Sequence, residues 1–170
     1  MAILDTDIIR RYSGGSGNTS AAASLGGAIS STAISNDTLN ALWPDFSGEE
    51  SNDGITRYRC FYLRNSHASL TAKNIKIYFD EDELPENDGV TVELGSGTAA
   101  VNATEQTIAD EETEPTGVTF DTYDSDNKLA LSNIPNGQYK SIWVKLTTEP
   151  GAEAKNLDNY HLVVDVDTNE

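Results

Sequence analysis

Two runs of acidic residues contain the side chains most able to bind a metal ion, namely DEDELPENDG at 80–89 and DTYDSDN at 121–127. A hard cation such as Ca²⁺ prefers several oxygen ligands, which carboxylates and amides supply. The densest group is Asp124, Asp126 and Asn127, but neither run has the D-x-[DN]-x-[DN]-G spacing of a calcium-binding loop. We therefore interpret both runs as solvated turns and expect no metal and no other cofactor. If a cation does bind, Asp124, Asp126 and Asn127 are the candidate ligands.

The side chains that could act as nucleophiles or bases do not form a catalytic pattern. The two histidines, His67 and His161, have no Cys, Glu or second His at metal-ligand spacing. Cys60 is the only cysteine, which excludes an internal disulfide and suits a small buried apolar role. The glycines of SGGSGNTS at 13–20 are not followed by the lysine that a P-loop requires. The sequence therefore indicates a protein that is not an enzyme.

Aromatic side chains could instead form a platform on which a receptor or a sugar stacks. The contributors that the sequence offers are Tyr123, Tyr160 and Trp143. Trp143 lies within an alternating apolar pattern, which predicts that it is half-buried on a strand. A receptor- or carbohydrate-binding module is therefore the lesser alternative among the functions considered.

The charge of the chain excludes two classes of partner. The formal net charge is −17 at pH 7, from 28 acidic and 11 basic residues. Such a surface repels nucleic acid and anionic lipid, and Arg10-Arg11 is the only adjacent basic pair. The sequence also has no apolar run long enough to span a membrane, and residues 1–15 lack the pattern of a secretory signal. We expect neither nucleic acid nor a membrane as partner.

The same acid excess suits a protein that works in very salty surroundings. Salt relieves the self-repulsion of the folded chain, because the Debye length falls to about 3 Å at 1 M. The alternative is that an exposed acidic face only confers solubility.

From residue 51 onward the sequence alternates apolar and polar residues with the period of strands that bury one face. In NIKIYFD, for example, Ile75, Ile77 and Phe79 fall on one side and Lys76 on the other. Antiparallel sheets with one wet face produce this pattern, so residues 51–170 are predicted to form an all-β antiparallel sandwich, immunoglobulin-like or jelly-roll. The predicted strands lie within 55–65, 74–80, 89–95, 117–123, 128–134, 139–149 and 160–167.

Residues 1–50 lack this alternation, and the stretch 13–35 consists almost entirely of small and polar residues. Ordering such a stretch must offset about 1–2 kcal/mol of backbone entropy per residue, and it cannot build its own core. We therefore predict an extended N-terminal arm, with a short helical turn within NDTLNALWPDFSG, that neighbouring subunits hold in place. The apolar side chains predicted to contact those subunits are Ile3, Ile8, Ile9, Leu25, Ile29 and Ile34. The alternative is that the arm folds back on its own sandwich.

Four stretches together span most of the chain from residue 12 to residue 146, namely SGGSGNTSAAASLGGAISST, YRCFYLRNSHASLTAKN, ATEQTIADEETEPTGVTF and IPNGQYKSIWVK. They resemble segments of a family of small virion structural proteins from tailed viruses of bacteria and archaea. The resemblance implies a particle component without fixing whether it sits on the head, the neck or the tail. The strong acidity would then fit a virus of a halophilic host.

These observations lead to one functional hypothesis with an alternative in the same class. The chain is expected to be a capsid decoration or cement protein on the exterior of a virion assembled in the host cytoplasm, where its arm contacts neighbouring subunits. Its partners would be other virion proteins and copies of itself. The alternative is a neck, collar or tail component, because an acidic surface also suits a conduit through which DNA slides without sticking.

Overall fold

The computed structural model of the chain describes residues 2–35, 41–43, 47–80, 89–152 and 161–167. These residues form an all-β fold with one short α-helix, α1 (Gly48–Asp53), and two single-turn 3-10 helices, Asp5–Asp7 and Ala21–Ala23, and the predicted all-β class is confirmed. Among them, no helix combines the length and the apolar composition needed to cross a bilayer. The strands are β1 (Ile8–Tyr12), β2 (Gly26–Gly27), β3 (Ile55–Asn65), β4 (Lys73–Phe79), β5 (Val90–Ser96), β6 (Glu105–Thr107), β7 (Leu129–Ala130), β8 (Tyr139–Thr148) and β9 (Leu162–Asp167).

The strands pair antiparallel in three sheets. The largest has the order β1-β3-β8-β5, a second has the order β7-β4-β9, and β2 pairs with β6 in a short third sheet. The longest pairing joins β3 and β8, from Ile55 opposite Thr148 to Arg64 opposite Tyr139. This pair forms the centre of the four-stranded sheet.

The main hydrophobic core lies between the four-stranded and the three-stranded sheet. On β4, Ile75, Ile77 and Phe79 are buried, as the alternation predicted, whereas Lys76 is exposed. They join apolar side chains of β3, β5 and β8 in one cluster. Full burial of such a side chain contributes about 1.5–3 kcal/mol relative to exposure. The two facing sheets are consistent with a β-sandwich.

The four-stranded sheet is also buried on its other face, which the sequence did not indicate. A second cluster there contains Tyr58, Cys60, Ile108 and Trp143. The prediction that Trp143 is half-buried is wrong, because its exposed fraction is 0%. The physical reason is a further layer of irregular chain that covers this face.

Six of the seven predicted strand segments contain a strand, and the segment 117–123 does not. Only Asp121 in it forms an isolated bridge, with Leu94 at the edge of β5. Val118 and Phe120 instead pack against the second cluster. The alternation at 117–123 therefore comes from two side chains that pack over the face of a sheet, and not from a strand that belongs to the sheet.

The predicted N-terminal arm is part of the domain over its described residues. Strand β1 pairs along β3 from Ile8 opposite Asn65 to Tyr12 opposite Phe61, so contacts cross the boundary predicted near residue 50. Most of the predicted helical turn lies outside the described residues. Helix α1 follows it, and Ser47 and Glu50 begin that helix with a reciprocal capping box.

Candidate interaction surface

The Gly/Ser-rich residues 13–34 are here called the cover segment. Leu25 and Gly26 of this segment lie over the outer face of the four-stranded sheet, and residues 32–34 pair along the edge of β1. Ser13 joins the two layers, because its Oγ donates to the Cys60 carbonyl oxygen at 2.8 Å and accepts from the Gly26 amide at 3.1 Å. The Cys60 amide in turn donates to the Ser24 carbonyl oxygen at 2.8 Å. The cover segment thus satisfies backbone groups that β3 would otherwise leave unpaired.

Gly26 allows the cover segment to approach this closely. Its φ is +90°, a left-handed conformation that favours glycine, and an added Cβ would lie 1.9 Å from the Gln106 carbonyl oxygen. The same Cβ would lie 3.1 Å from the Trp143 ring. The next residue, Gly27, accepts a hydrogen bond from the Tyr62 hydroxyl through its carbonyl oxygen. Small residues here therefore let one backbone lie directly on another.

Polar side chains of the cover segment form hydrogen bonds with the backbone of the same segment. Asn18 Nδ2 donates to the carbonyl oxygens of Ser13 at 2.5 Å and Ser20 at 2.9 Å, and Asn18 Oδ1 accepts from the Ser20 amide at 2.9 Å. From β1, an Arg11 guanidinium nitrogen donates to the Ser31 carbonyl oxygen at 2.8 Å. The segment is therefore held by its own chain, as the fold-back alternative proposed.

The six apolar side chains predicted to contact other subunits divide into two groups. Ile3 and Ile8 lie in the main core, with exposed fractions of 4% and 7%. Such burial leaves them almost no surface for a neighbour. The other four are half-buried: Ile9, Leu25, Ile29 and Ile34. For these four, a subunit contact stays a prediction.

A buried polar network fastens β6 to β8 beneath the outer layer. The Glu105 carboxylate accepts from Ser141 Oγ at 2.5 Å, Thr98 Oγ1 at 2.9 Å and the Ala99 amide at 3.0 Å. Burial by itself raises the pKa of Glu105, but these hydrogen bonds outweigh it and the pKa lies below its usual value. Lys140 Nζ donates to the Ala99 carbonyl oxygen at 2.5 Å, and burial lowers the pKa of this lysine. The network holds an ionised carboxylate inside the protein.

A second charged group joins helix α1 and the loop 110–114 to β3. Glu111 bridges Arg57 and Arg59, and the Arg57–Glu111 contact is 3.1 Å between Nε and Oε1. Arg57 also pairs with Glu50 of α1, while Arg59 lies 5.4 Å from the centre of a Trp43 ring. Both arginines are thus committed to the fold and not to a ligand.

Positive charge is distributed unevenly between interior and surface. Among the described lysines and arginines, only Lys73 and Lys76 are exposed, and both belong to β4. The others are buried or half-buried, namely Arg10, Arg11, Arg57, Arg59, Arg64, Lys128, Lys140 and Lys145. Acidic side chains reach solvent in the loop 110–114 and the turn 121–126. The described surface is therefore negative, with its exposed positive charge on one strand.

The candidate metal ligands form an ordinary turn. Asp124 Oδ1 accepts from the amides of Asp126 at 2.9 Å and Asn127 at 2.7 Å. Within the described ranges, no three His, Cys, Asp or Glu side chains are grouped so that they could hold a metal ion. The carboxylate of Asp124 stabilises its own backbone turn.

The histidines and aromatic residues do not converge on a common site in the described chain. His67 Nδ1 accepts from the amides of Ser69 at 3.1 Å and Leu70 at 2.9 Å, which is a structural role. Trp143 is buried, so it cannot contribute to a sugar platform, and Tyr160 lies outside the described residues. The predicted aromatic platform therefore loses one of its three contributors.

A shallow cavity of about 620 Å³ lies beside the N-terminal turn. Its lining residues include Leu4, Asp7, His67 and Leu70, and Leu4 is exposed to 63%. The Asp7 carboxylate accepts from the Leu4 amide at 2.8 Å and so closes the turn.

No protein-family model, curated protein or solved structure matches this chain. The function proposed below is therefore argued from the chain's own residues and from the resemblance described above.

Several residues that shape this surface were missed by the sequence reasoning. The motif Ser47-x-x-Glu50 is a capping-box signal and could have located α1. Glu105 carries no such signal, because the partners of its carboxylate come from two other segments, at 98–99 and in β8. The polar position of Lys76 was predicted, but no sequence pattern shows that the other described cations, apart from Lys73, are buried or half-buried.

Proposed function

We propose that this chain is a non-enzymatic structural protein of a tailed-virus particle and that it decorates the outside of the capsid. Its partners are the major capsid subunits and further copies of the chain. The four stretches that resemble small virion proteins support this class. The compact all-β domain, with its surface segments fixed by internal hydrogen bonds, is the kind of rigid unit that an assembled shell requires.

The charge distribution is the observation that carries the exterior position. Most described cations are engaged inside the fold, as in the Arg57–Glu111–Arg59 group, while the loop 110–114 presents acids to solvent. A surface of this kind repels the phosphate backbone of packaged DNA. It therefore favours the outer side of a shell over the inner side.

A neck, collar or tail component is the second candidate, because the same negative surface suits a channel through which DNA must pass. The two candidates differ only in location. They predict the chain either over the head surface or at the head–tail axis.

The order of the strands bears on the type of sandwich. From β3 to β9, apart from β6, which pairs with β2, consecutive strands alternate between the two main sheets, with β3, β5 and β8 in one and β4, β7 and β9 in the other. In an immunoglobulin domain, pairs of consecutive strands remain in one sheet. The alternation supports a jelly-roll-like arrangement, which we propose for this domain.

The acid excess further supports a host that lives at high salt. Relief of self-repulsion should raise the melting temperature as NaCl increases from low to molar concentration. A melting temperature that stays level or falls would contradict this part of the proposal.

Location in a purified particle tests the proposed function. A tagged copy of the full chain is produced during infection, and gradient-purified particles are examined by mass spectrometry and by gold-labelled antibody in the electron microscope. Label over the head supports decoration, and label at the neck or tail supports the second candidate. Absence of the chain from particles, with a tagged host protein as the control for carry-over, would overturn both.

A further inference from the structure

The outer face of the three-stranded sheet carries the exposed positive charge of the described chain. Lys73 and Lys76 of β4 point to solvent there, and the backbone register places them opposite Asp167 and Asp165 of β9. We call Lys73, Lys76 and their β9 neighbours the lysine face. In a chain with net charge −17, this face is the natural place for a negative partner to approach.

The acids on the lysine face are already engaged with other groups. Asp165 Oδ2 accepts from Lys128 Nζ at 2.9 Å, and Asp167 Oδ2 accepts from Asn74 Nδ2 at 2.7 Å. The Asn74 amide is neutral, so Asp167 keeps its negative charge opposite Lys73, but within the described residues neither Lys73 nor Lys76 has a carboxylate at ion-pair distance. Their charges are available to a partner without first breaking an internal contact.

The loop 110–114 offers a preorganised negative counterpart on the same molecule. Asp110 Oδ1 accepts from the Glu112 amide at 3.1 Å and from Thr113 Oγ1 at 2.7 Å, which fixes the turn. Glu111 is held by two arginines, whereas Asp110, Glu112 and Glu114 are exposed. A loop that is already ordered loses little entropy when it binds.

We propose that the loop 110–114 of one copy docks on the lysine face of the next. The two patches are different surfaces, since the loop is anchored to β3 and the lysine face lies on β4 and β9. Such a contact is heterologous, and it builds rings or open arrays, not closed two-fold dimers. A contact of a few exposed ion pairs is weak, and weaker still at the high salt proposed for the host, but many copies on a shell act together. The inference deepens the proposed function by naming the copy-to-copy contact, and it can fail separately.

Self-association of the purified full chain tests this contact. Sedimentation equilibrium at low ionic strength should show concentration-dependent oligomers whose affinity falls as NaCl is added. Replacing both lysines, Lys73→Gln with Lys76→Gln, should weaken association by about tenfold, because two exposed ion pairs are lost.

A matched variant distinguishes the effect of the lysine face on association from the effect of net charge. The double lysine variant has net charge −17 − 2 = −19, and so does Ala28→Glu with Ala100→Glu, which adds two acids at exposed positions of the outer layer. The alanine variant should lose much less affinity than the lysine variant. Equal losses would show that only overall repulsion matters and would overturn the proposal.

A charge exchange identifies the partner loop. Lys73→Glu with Lys76→Glu, and separately Glu112→Lys with Glu114→Lys, should each abolish self-association, while a mixture of the two variants forms a complex. All four residues are exposed, so thermal melting of each variant should remain cooperative. The contact is overturned if the wild-type chain stays monomeric or if its association persists in molar salt. Neither result bears on the particle location, which the labelling experiment tests separately.

Discussion

The two faces of the four-stranded sheet are buried in different ways. The inner face packs against the three-stranded sheet through branched apolar side chains such as Leu63 and Ile142. The outer face packs against the cover segment and the loop around Ile108, where backbone groups approach directly and hydrogen bonds such as that of Ser13 join the layers. One face is stabilised mainly by apolar burial, and the other combines burial with specific polar geometry.

The difference shows that a segment poor in large apolar residues can still be an integral layer of a domain. The cover segment contributes few apolar side chains, yet together with the loop around Ile108 it leaves Trp143 fully buried. Its order comes from carbonyl and amide groups that meet partners on β3 and β6. Composition alone therefore underestimates how firmly such a segment is held.

Removal of residues 2–34 should break the outer face and have the largest effect. The deletion takes away β1, exposes Trp143 and removes Ile3 and Ile8 from the main core. We expect the shortened chain to lose cooperative thermal unfolding, measured by circular dichroism, and to lose dispersed amide signals in NMR spectra. Truncation of one buried isoleucine costs about 2–5 kcal/mol, so the loss of both is comparable with the whole stability of a small domain.

A peptide of residues 2–34 added in trans provides the control for that deletion. If the segment is a structural layer, the peptide should restore the native spectrum. The substitution Leu4→Ser, at a side chain that is mostly exposed, should leave unfolding unchanged. A truncated chain that melts cooperatively near the wild-type temperature would contradict the integral role of this segment.

The inner core was readable from the sequence because its signal is local. Alternation along 55–65 and 139–149 located β3 and β8, and it assigned Ile75 and Ile77 to the buried side. A strand that buries one face repeats its pattern every second residue, so neighbouring positions carry the information. This part of the fold follows from periodicity.

The outer layer was not readable because its contacts join residues far apart in the chain. Ser13 meets Cys60, and Glu105 meets Ser141, yet no spacing in the sequence connects them. The arginines of β3 interrupt its apolar pattern, which concealed that this strand is buried on both faces. For the lysine face, the sequence predicted that Lys76 points outward. It did not predict that the other described cations, apart from Lys73, are buried or half-buried.

Gly26→Ala should disturb the outer layer while leaving the main core intact, and so measure what the outer layer contributes to stability. The alanine must adopt a left-handed φ and its Cβ meets the Gln106 carbonyl oxygen, so we expect a loss of about 3 kcal/mol from strain and overpacking together. The control is Gly15→Ala, where φ is +98° but nothing lies within 4 Å of the added Cβ. Chemical denaturation of both variants measures the difference, and equal losses would show that the close backbone contact is unimportant.

Glu105→Gln should have a smaller effect, and one that depends on pH. All the groups around this carboxylate donate hydrogen bonds, and an amide nitrogen in its place faces donors, so we expect a loss of about 1–3 kcal/mol at neutral pH. The pKa of Glu105 is lowered in the folded protein relative to the usual glutamate value of 4.5. A lowered pKa means that the ionised network stabilises the fold above pH 4.5 and that this contribution is lost as the pH falls through the folded-state pKa.

The stability difference between wild type and Glu105→Gln should therefore be constant near neutrality and shrink in acid below pH 4.5. Glu112→Gln is the matched control, because Glu112 is an exposed glutamate of the outer layer without a share in this network. Urea titrations across the acid range compare the three proteins. If the difference stays constant down to the acid limit, Glu105 stabilises the outer layer by its shape and not by its charge. The ionised network would then not contribute to the difference between the inner and the outer face of the sheet.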